Sequence, residues 1–418
     1  MRLLISFASL FLSVGLLQLS SGGVGPLDAL SGLAKGFSTA QVGFLGSAHF
    51  IGFFIGCWWA PRLMGSVGHS RAFACFTACG AIGLLAHTFT DNPSLWALFR
   101  IASGITVAGC YTVIEAWLSA KVTNQTRGRA MGAYRIVDMG ASLIAQLMIG
   151  ALADVETYMA YNLLTVLCCA SLIPLTLTKV RQPPTPQTPR LRPMLAVAKS
   201  PLAVAGVVIA ALSSASFRMV GPIYGAEVGL TPDQIGLFLA SFVAGGALAQ
   251  YPAGWLADKF DRRWVMVGFS IAAVLSCLGS AAAGMAGSTG AAGAMLSAAL
   301  FGWTTFPVYS IAAAHAHDFA TNDERVELSA ALMFFFASGA IAAPLVTAKL
   351  IDIYGPPAFF AFVAAGHVLL ILFSLSRMKV RDTVQERTPY VYAPRTSFTV
   401  GRLFRRERNK KIPPKDTV

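Results

Sequence analysis

The sequence predicts an all-α membrane protein of twelve transmembrane helices arranged as two six-helix pseudo-repeats. Three observations carry that prediction. The chain is 55% hydrophobic and only 12% charged, whereas a water-soluble domain carries about 25% charged residues. Apolar runs of roughly 20 residues, the length that crosses a hydrocarbon core, recur along the chain. The second six runs repeat the pattern of the first six.

The runs fall near residues 3–25, 40–60, 72–89, 95–118, 130–150 and 157–177, then near 201–222, 234–254, 264–286, 291–316, 328–351 and 358–376. The first, with Arg2 ahead of it and small residues at Ser20 to Gly23, resembles a secretory signal. It is longer than the ~7–15-residue core of such a signal, and its end belongs to the repeat, so it is read as a retained span. Pro26 and Pro222 fall near the outer ends of the first and seventh spans, where each removes a helix hydrogen bond.

The net charge is +13. It lies in alternate loops: Arg62 and Arg71; Lys121, Arg127 and Arg129; Lys179 to Lys199; Lys259, Arg262 and Arg263; Arg325; and the tail from Arg377. The opposite loops hold Lys35, with Lys349 near a span end. Lys and Arg mark the cytoplasmic side, so both termini are expected in the cytoplasm of a multi-pass protein of the cell inner membrane. With no nucleic-acid-reading motif present, the basic balance implies no nucleic-acid partner. The seven cysteines all lie in apolar runs, and none forms a CxxC pair or metal-ligand spacing. No cofactor or metal is implied.

The expected organisation is an N-terminal bundle over 1–178, a linker over 179–199, a C-terminal bundle over 200–377 and a basic tail over 378–418. The linker contains QPPTPQTPRLRP, too rich in proline for a helix. The tail is expected to be disordered.

The repeat has several registers. GFSTAQVG (36–43) matches GLTPDQIG (229–236), and VGPL from Val24 matches VGPI from Val220. GITVAGCYTVIEAW from Gly104 aligns with GWTTFPVYSIAAAH from Gly302, setting Tyr111 against Tyr309. The halves therefore share one orientation, about an axis along the membrane normal.

GWLADKFDRR, Gly254 to Arg263, resembles the signature loop of the major facilitator superfamily, although Asp261 stands where the family has its second glycine. The first-half counterpart, Pro61 to Arg71, is degenerate, with Gly65 at the Asp position. LFRIASG, with Arg100 and Gly104, resembles a second family motif, and Val113 to Tyr134 is similar to the YcaD-like branch. The resemblance implies a transporter rather than an enzyme. It also implies a latch in which Gly254, Asp258, Arg262 and Arg263 hold the cytoplasmic side, with Asp258 facing the start of the fifth span near Arg129 to Gly132. A carboxylate there gains ~0.3–1 kcal/mol from the helix dipole.

Charges inside spans each require a partner, a wet cavity or a function. His49, Glu115, Arg135 and Asp138 are candidates for proton coupling or gating. Arg100, Tyr111, Gln146, Arg218, Trp303 and Tyr309 are candidates for the substrate cavity. Permanent packing pairs among Glu115, Arg135 and Asp138 stay open as the alternative. The expected activity is secondary transport of a small organic solute by alternating access. The expected partners are a proton, the lipid bilayer and that solute, with the protein a monomer. Uptake is favoured because span five lacks the Gly-Pro-Gly-Gly run of antiporters. Efflux by proton antiport is the first alternative, and an intramembrane sensor or enzyme the second.

Overall fold

The structure is a computed structural model and describes residues 7–122, 124–177, 191–285, 290–321, 323–380 and 390. Most of the linker and of the basic tail lies outside these residues. Among them, eleven helices are long and apolar enough to cross a membrane. The first six spans are Ala8–Ala34, Thr39–Val67, His69–Ala86, Pro93–Lys121, Asn124–Leu147 and Thr157–Thr176. The second six are Pro201–Glu227, Pro232–Lys259, Arg262–Met285, Ala291–Asp318, Arg325–Tyr354 and Ala358–Met378. The fifth span is the one that falls short on apolarity. Arg127, Arg129, Arg135 and Asp138 all lie within it.

Two expected boundaries need correction. The first span does not end near residue 25, nor the seventh near 222. Both run through their prolines, to Ala34 and Glu227. Pro26 and Pro222 are therefore interior positions, and not helix ends. A spanning helix tolerates an internal proline where neighbouring helices re-satisfy the freed carbonyl. The stop comes later, at Gly36 (φ 82°) and Gly229 (φ 79°), which take the left-handed backbone that a side chain resists. The next spans then start on matching capping boxes, Ser38 with Gln41 and Thr231 with Gln234.

Each half is built on one close crossing. A Cβ on Gly52 would lie 2.0 Å from the Ile101 carbonyl oxygen, and one on Gly104 would lie 2.0 Å from that of His49. In the other half the same approach joins Gly245 to the Ala299 carbonyl at 2.0 Å and Gly302 to that of Phe242 at 2.1 Å. Glycine is required at all four positions, because the backbones of spans two and four, and of eight and ten, touch there. At the signature loop, Asp261 replaces the missing glycine by a different device. Its Oδ1 accepts the Arg263 backbone N–H at 3.0 Å and caps the ninth span, with no left-handed residue needed.

The halves press together on the side remote from the termini. Cβ positions on Gly43, Gly46 and Gly236 would fall within 3 Å of Ala348, Met219 and the Gln146 carbonyl, all across the interface. Nearer the terminal side, spans two and eleven still touch through Phe54 and Phe334, ring centroids 5.7 Å apart.

Candidate functional site

A cavity of about 170 Å³ lies between the halves. Its N-half wall includes Gln18, His49, Tyr111, Arg135, Asp138, Ser142 and Gln146. Its C-half wall includes Ser214, Arg218, Met219, Phe242, Phe306 and Phe336. Arg135, Asp138, Ser142 and Gln146 reach it together because they share one stripe of the fifth span.

The centre of the polar wall is a hydrogen-bonded hub. Tyr111 OH donates to Asp138 Oδ1 at 2.6 Å and is in very short contact with Gln18 Oε1. Arg135 lies between two carboxylates, with Nη1 3.5 Å from Asp138 Oδ2 and Nη2 3.3 Å from Glu115 Oε1. Tyr134 OH donates to the same Glu115 oxygen at 3.2 Å, and its ring lies 4.5 Å beneath the guanidinium carbon. Among the described residues, the hub thus sets two carboxylates around the Arg135 guanidinium. Glu115 is buried behind the wall, and Asp138 lies on it. His49 reaches the cavity with its Nδ1 3.2 Å from Ser103 Oγ. Gln146 is oriented by its Nε2 donating to the Gly22 carbonyl at 3.0 Å. From the other half, Arg218 lines the cavity with its guanidinium 5.9 Å from the Phe306 ring centroid.

Three expected cavity residues do not line it. Trp303 is 39% exposed on the outside of span ten. That helix is apolar on every side, so its sequence marks no inward face. Tyr309 is buried against Phe336, ring centroids 5.4 Å apart. Arg100 belongs to a second buried cluster that sequence reasoning missed, because its centre is Asp28. Arg100 Nε lies 3.1 Å from Asp28 Oδ2, Tyr161 OH donates to Asp28 Oδ1 at 2.5 Å, and His87 Nε2 is 3.8 Å from that oxygen. His87 also stacks on Tyr161 at 4.9 Å. The cluster reaches the other half where Arg100 Nη2 approaches Met219 Sδ at 3.6 Å. Asp28 itself was the available signal: it is the one acidic residue of the first span.

At the signature loop, Arg262 is 1% exposed and clamps the end of span ten. Its Nη1 donates to both Asp318 carboxylate oxygens, at 2.8 and 2.9 Å, and to the Ala314 carbonyl at 3.0 Å. Arg263 pairs with Asp261 at 2.7 Å. The side chains at the start of the fifth span, 123–129, lie outside the described ones, so the expected contact of Asp258 there falls outside them too. The partners of Asp258 among the described residues are Arg262 at 3.4 Å and the backbone N–H of Tyr390 at 2.8 Å. Tyr390 also packs over Gly254, whose Cβ would meet the ring at 2.9 Å. No group of three or more His, Cys, Asp or Glu poised for a metal occurs among the described residues.

The profile of the Major Facilitator Superfamily matches residues 10–206 and again 202–409, once per half. The chain is 27% identical to an MFS-type transporter of Enterobacter sp. (strain 638), over 85% of this chain and 90% of that one. It is also 27% identical to the MFS-type transporter YcaD of Escherichia fergusonii, over 81% of this chain and 86% of that one. Among solved structures, the nucleoside transporter NupG superposes with a TM-score of 0.70 at 15% identity, covering 91% of this chain and all of that one. A bacterial homologue of the lysosomal transporter Spinster, inward-facing and occupied, gives 0.68 at 15% identity over 90% and 96%. Two profile matches in tandem, on a duplicated bundle that encloses a cavity between its halves, show that the chain belongs to the Major Facilitator Superfamily and is a membrane transporter, not an enzyme.

Proposed function

We propose that the protein is a proton-coupled secondary carrier that moves a small organic solute through the cavity between its halves. The observation that carries this is the hub of Glu115, Arg135 and Asp138 on the cavity wall. Asp138 is its carboxylate on the cavity wall, so a proton there removes a negative charge from the cavity lining. An unneutralised charge is costly to enclose. Closing the cavity is therefore favoured with Asp138 protonated or with a solute cation against it, and this links proton and solute movement. Tyr111 and Gln18 orient the carboxyl group. Arg218 gives the opposite wall a positive group, and Phe242, Phe306 and Phe336 give it apolar faces. A planar heteroaromatic with hydrogen-bonding edges suits such walls.

The Lys and Arg bias supports a reading with the termini in the cytoplasm. In that frame the close contacts at Gly43, Gly46 and Gly236 seal the outer side. Alternating access is then a rocking of the halves that trades those contacts for others on the cytoplasmic side. Uptake is the direction we favour.

The test is solute-evoked proton flux in proteoliposomes carrying an internal pH dye, with solutes first selected by the shift they cause in thermal unfolding. Asp138→Asn is expected to abolish proton movement while leaving solute exchange. Proton-driven accumulation that survives this substitution removes Asp138 from the coupling role.

A further inference from the structure

We propose that Gln250, Gly254 and Asp258 form a docking groove for the chain's own C-terminal segment, anchored by Tyr390, and that the docked tyrosine wedges the cytoplasmic side open. Three contacts seat this residue. Its backbone N–H donates to Asp258 Oδ1 at 2.8 Å, its hydroxyl donates to Gln250 Oε1 at 3.2 Å, and its ring covers Gly254. Any larger residue at 254 would strike the ring, since a Cβ there would lie 2.9 Å from Cδ1 and 3.1 Å from Cε1. Tyr390 follows the last residue of span twelve, Met378, by 12 positions (390 − 378), and an extended chain covers ~3.3–3.6 Å per residue.

The position in the fold gives the contact its consequence. Gly236, Val243, Gln250, Gly254 and Asp258 recur at steps of seven or four and so share one stripe of span eight. At its outer end the stripe meets the other half, with Gly236 against the Gln146 carbonyl of span five. At mid-height it lines the cavity, through Leu239 and Val243. At its cytoplasmic end it carries Tyr390. A rocking motion that closes the cytoplasmic side brings this last part of the stripe toward the N-half, so an aromatic ring lying on it must leave first. The tyrosine N–H also engages the Asp258 carboxylate that would otherwise be available to the facing half. The consequence for conformation rests on the alternating-access reading; the docking itself does not.

Hydrogen exchange with single-fragment resolution on the full chain in nanodiscs tests both parts without a known substrate. In the wild type the residue-390 amide is expected to be protected. In Tyr390→Ala it should exchange about tenfold faster or more, the loss expected for a hydrogen bond to a charged acceptor. The same variant should slow exchange over the first turns of span five (124–132) and speed it over the outer loop 229–231, as closed-inside molecules accumulate. Tyr390→Phe, which keeps the ring and the N–H, should stay close to wild type. Free-peptide exchange at residue 390 in the wild type overturns the docking, and this outcome leaves the proton-coupling proposal untouched. Protection at 390 with no change in span five or the outer loop on Tyr390→Ala overturns the wedge.

Discussion

The two halves share a scaffold and differ in what they bury. By the Val24/Val220 register, Asp28 corresponds to Tyr224; by the Gly104/Gly302 register, Arg100 corresponds to Ala298 and Glu115 to Ala313. Where the first half buries an Asp–Arg–His–Tyr cluster, the second buries stacked aromatics. Phe217 lies 4.9 Å from Phe238 and 4.2 Å from Phe242, and Tyr224 contacts Phe359 and Phe360. Both solutions fill the same place beside the outer seal. An aromatic stack needs no partner-by-partner satisfaction, whereas every member of a buried ionic cluster depends on the others. At this place in the fold the first half therefore carries buried charge and the second carries rings.

The largest expected effect comes from breaking the ionic solution on one side only. Arg100→Ala leaves the Asp28 carboxylate buried without its guanidinium, and such a deletion costs ~3–5 kcal/mol. Denaturant unfolding in mild detergent should show that loss. Replacing the pair with the residues of the other half, Asp28→Tyr with Arg100→Ala, should recover much of it, because an apolar substitute for a buried ion pair is often neutral. Destabilisation by the double change equal to the sum of the two single changes would show that the clusters are not interchangeable.

The shared scaffold predicts the next effect, and here the halves should agree. Gly52→Val and Gly245→Val each drive a branched side chain into a backbone carbonyl 2.0 Å from the Cβ position. Overpacking of this kind costs ~1–3 kcal/mol or more, since backbone must move. Similar losses in the two variants would sharpen the comparison. A large loss in one half with none in the other would break it.

How much of this the sequence could show follows the same division. Span number and repeat were legible because bilayer thickness fixes helix length, and because duplication preserved Gln41 with Gln234 and Gly104 with Gly302. The hub was partly legible, since Arg135, Asp138, Ser142 and Gln146 lie on one helix and their spacing gives their face. The Asp28 cluster was not, because its partners are far along the chain: Arg100 on span four, His87 after span three and Tyr161 on span six. Trp303 misled for the opposite reason. A helix apolar all round gives no sign of which face meets lipid.

The smallest expected effect lies on the surface, where the linker helix Pro193–Lys199 meets span eleven. Lys199 Nζ lies 2.7 Å from Glu324 Oε2, and Arg192 Nη1 lies 3.1 Å from Glu327 Oε2. The Lys199 hydrogen bond, helped by the Thr321 backbone N–H, holds the Glu324 carboxyl below its ordinary range. A depressed folded value means that the contribution is complete above the ordinary carboxylate pKa and is lost as pH falls through the folded one. Exchange protection of the linker helix should therefore be flat from neutral pH down to about 5 and fall below it. Both pairs are open to solvent, Arg192 fully and the other three partly, so the change should be small and should shrink further in high salt. Lys199→Met should remove most of the acid-side slope and Arg192→Met little of it, because Glu324 accepts from both Lys199 and its own turn. A slope unchanged by Lys199→Met would place the titrating group elsewhere and detach the linker helix from the second half's pH response.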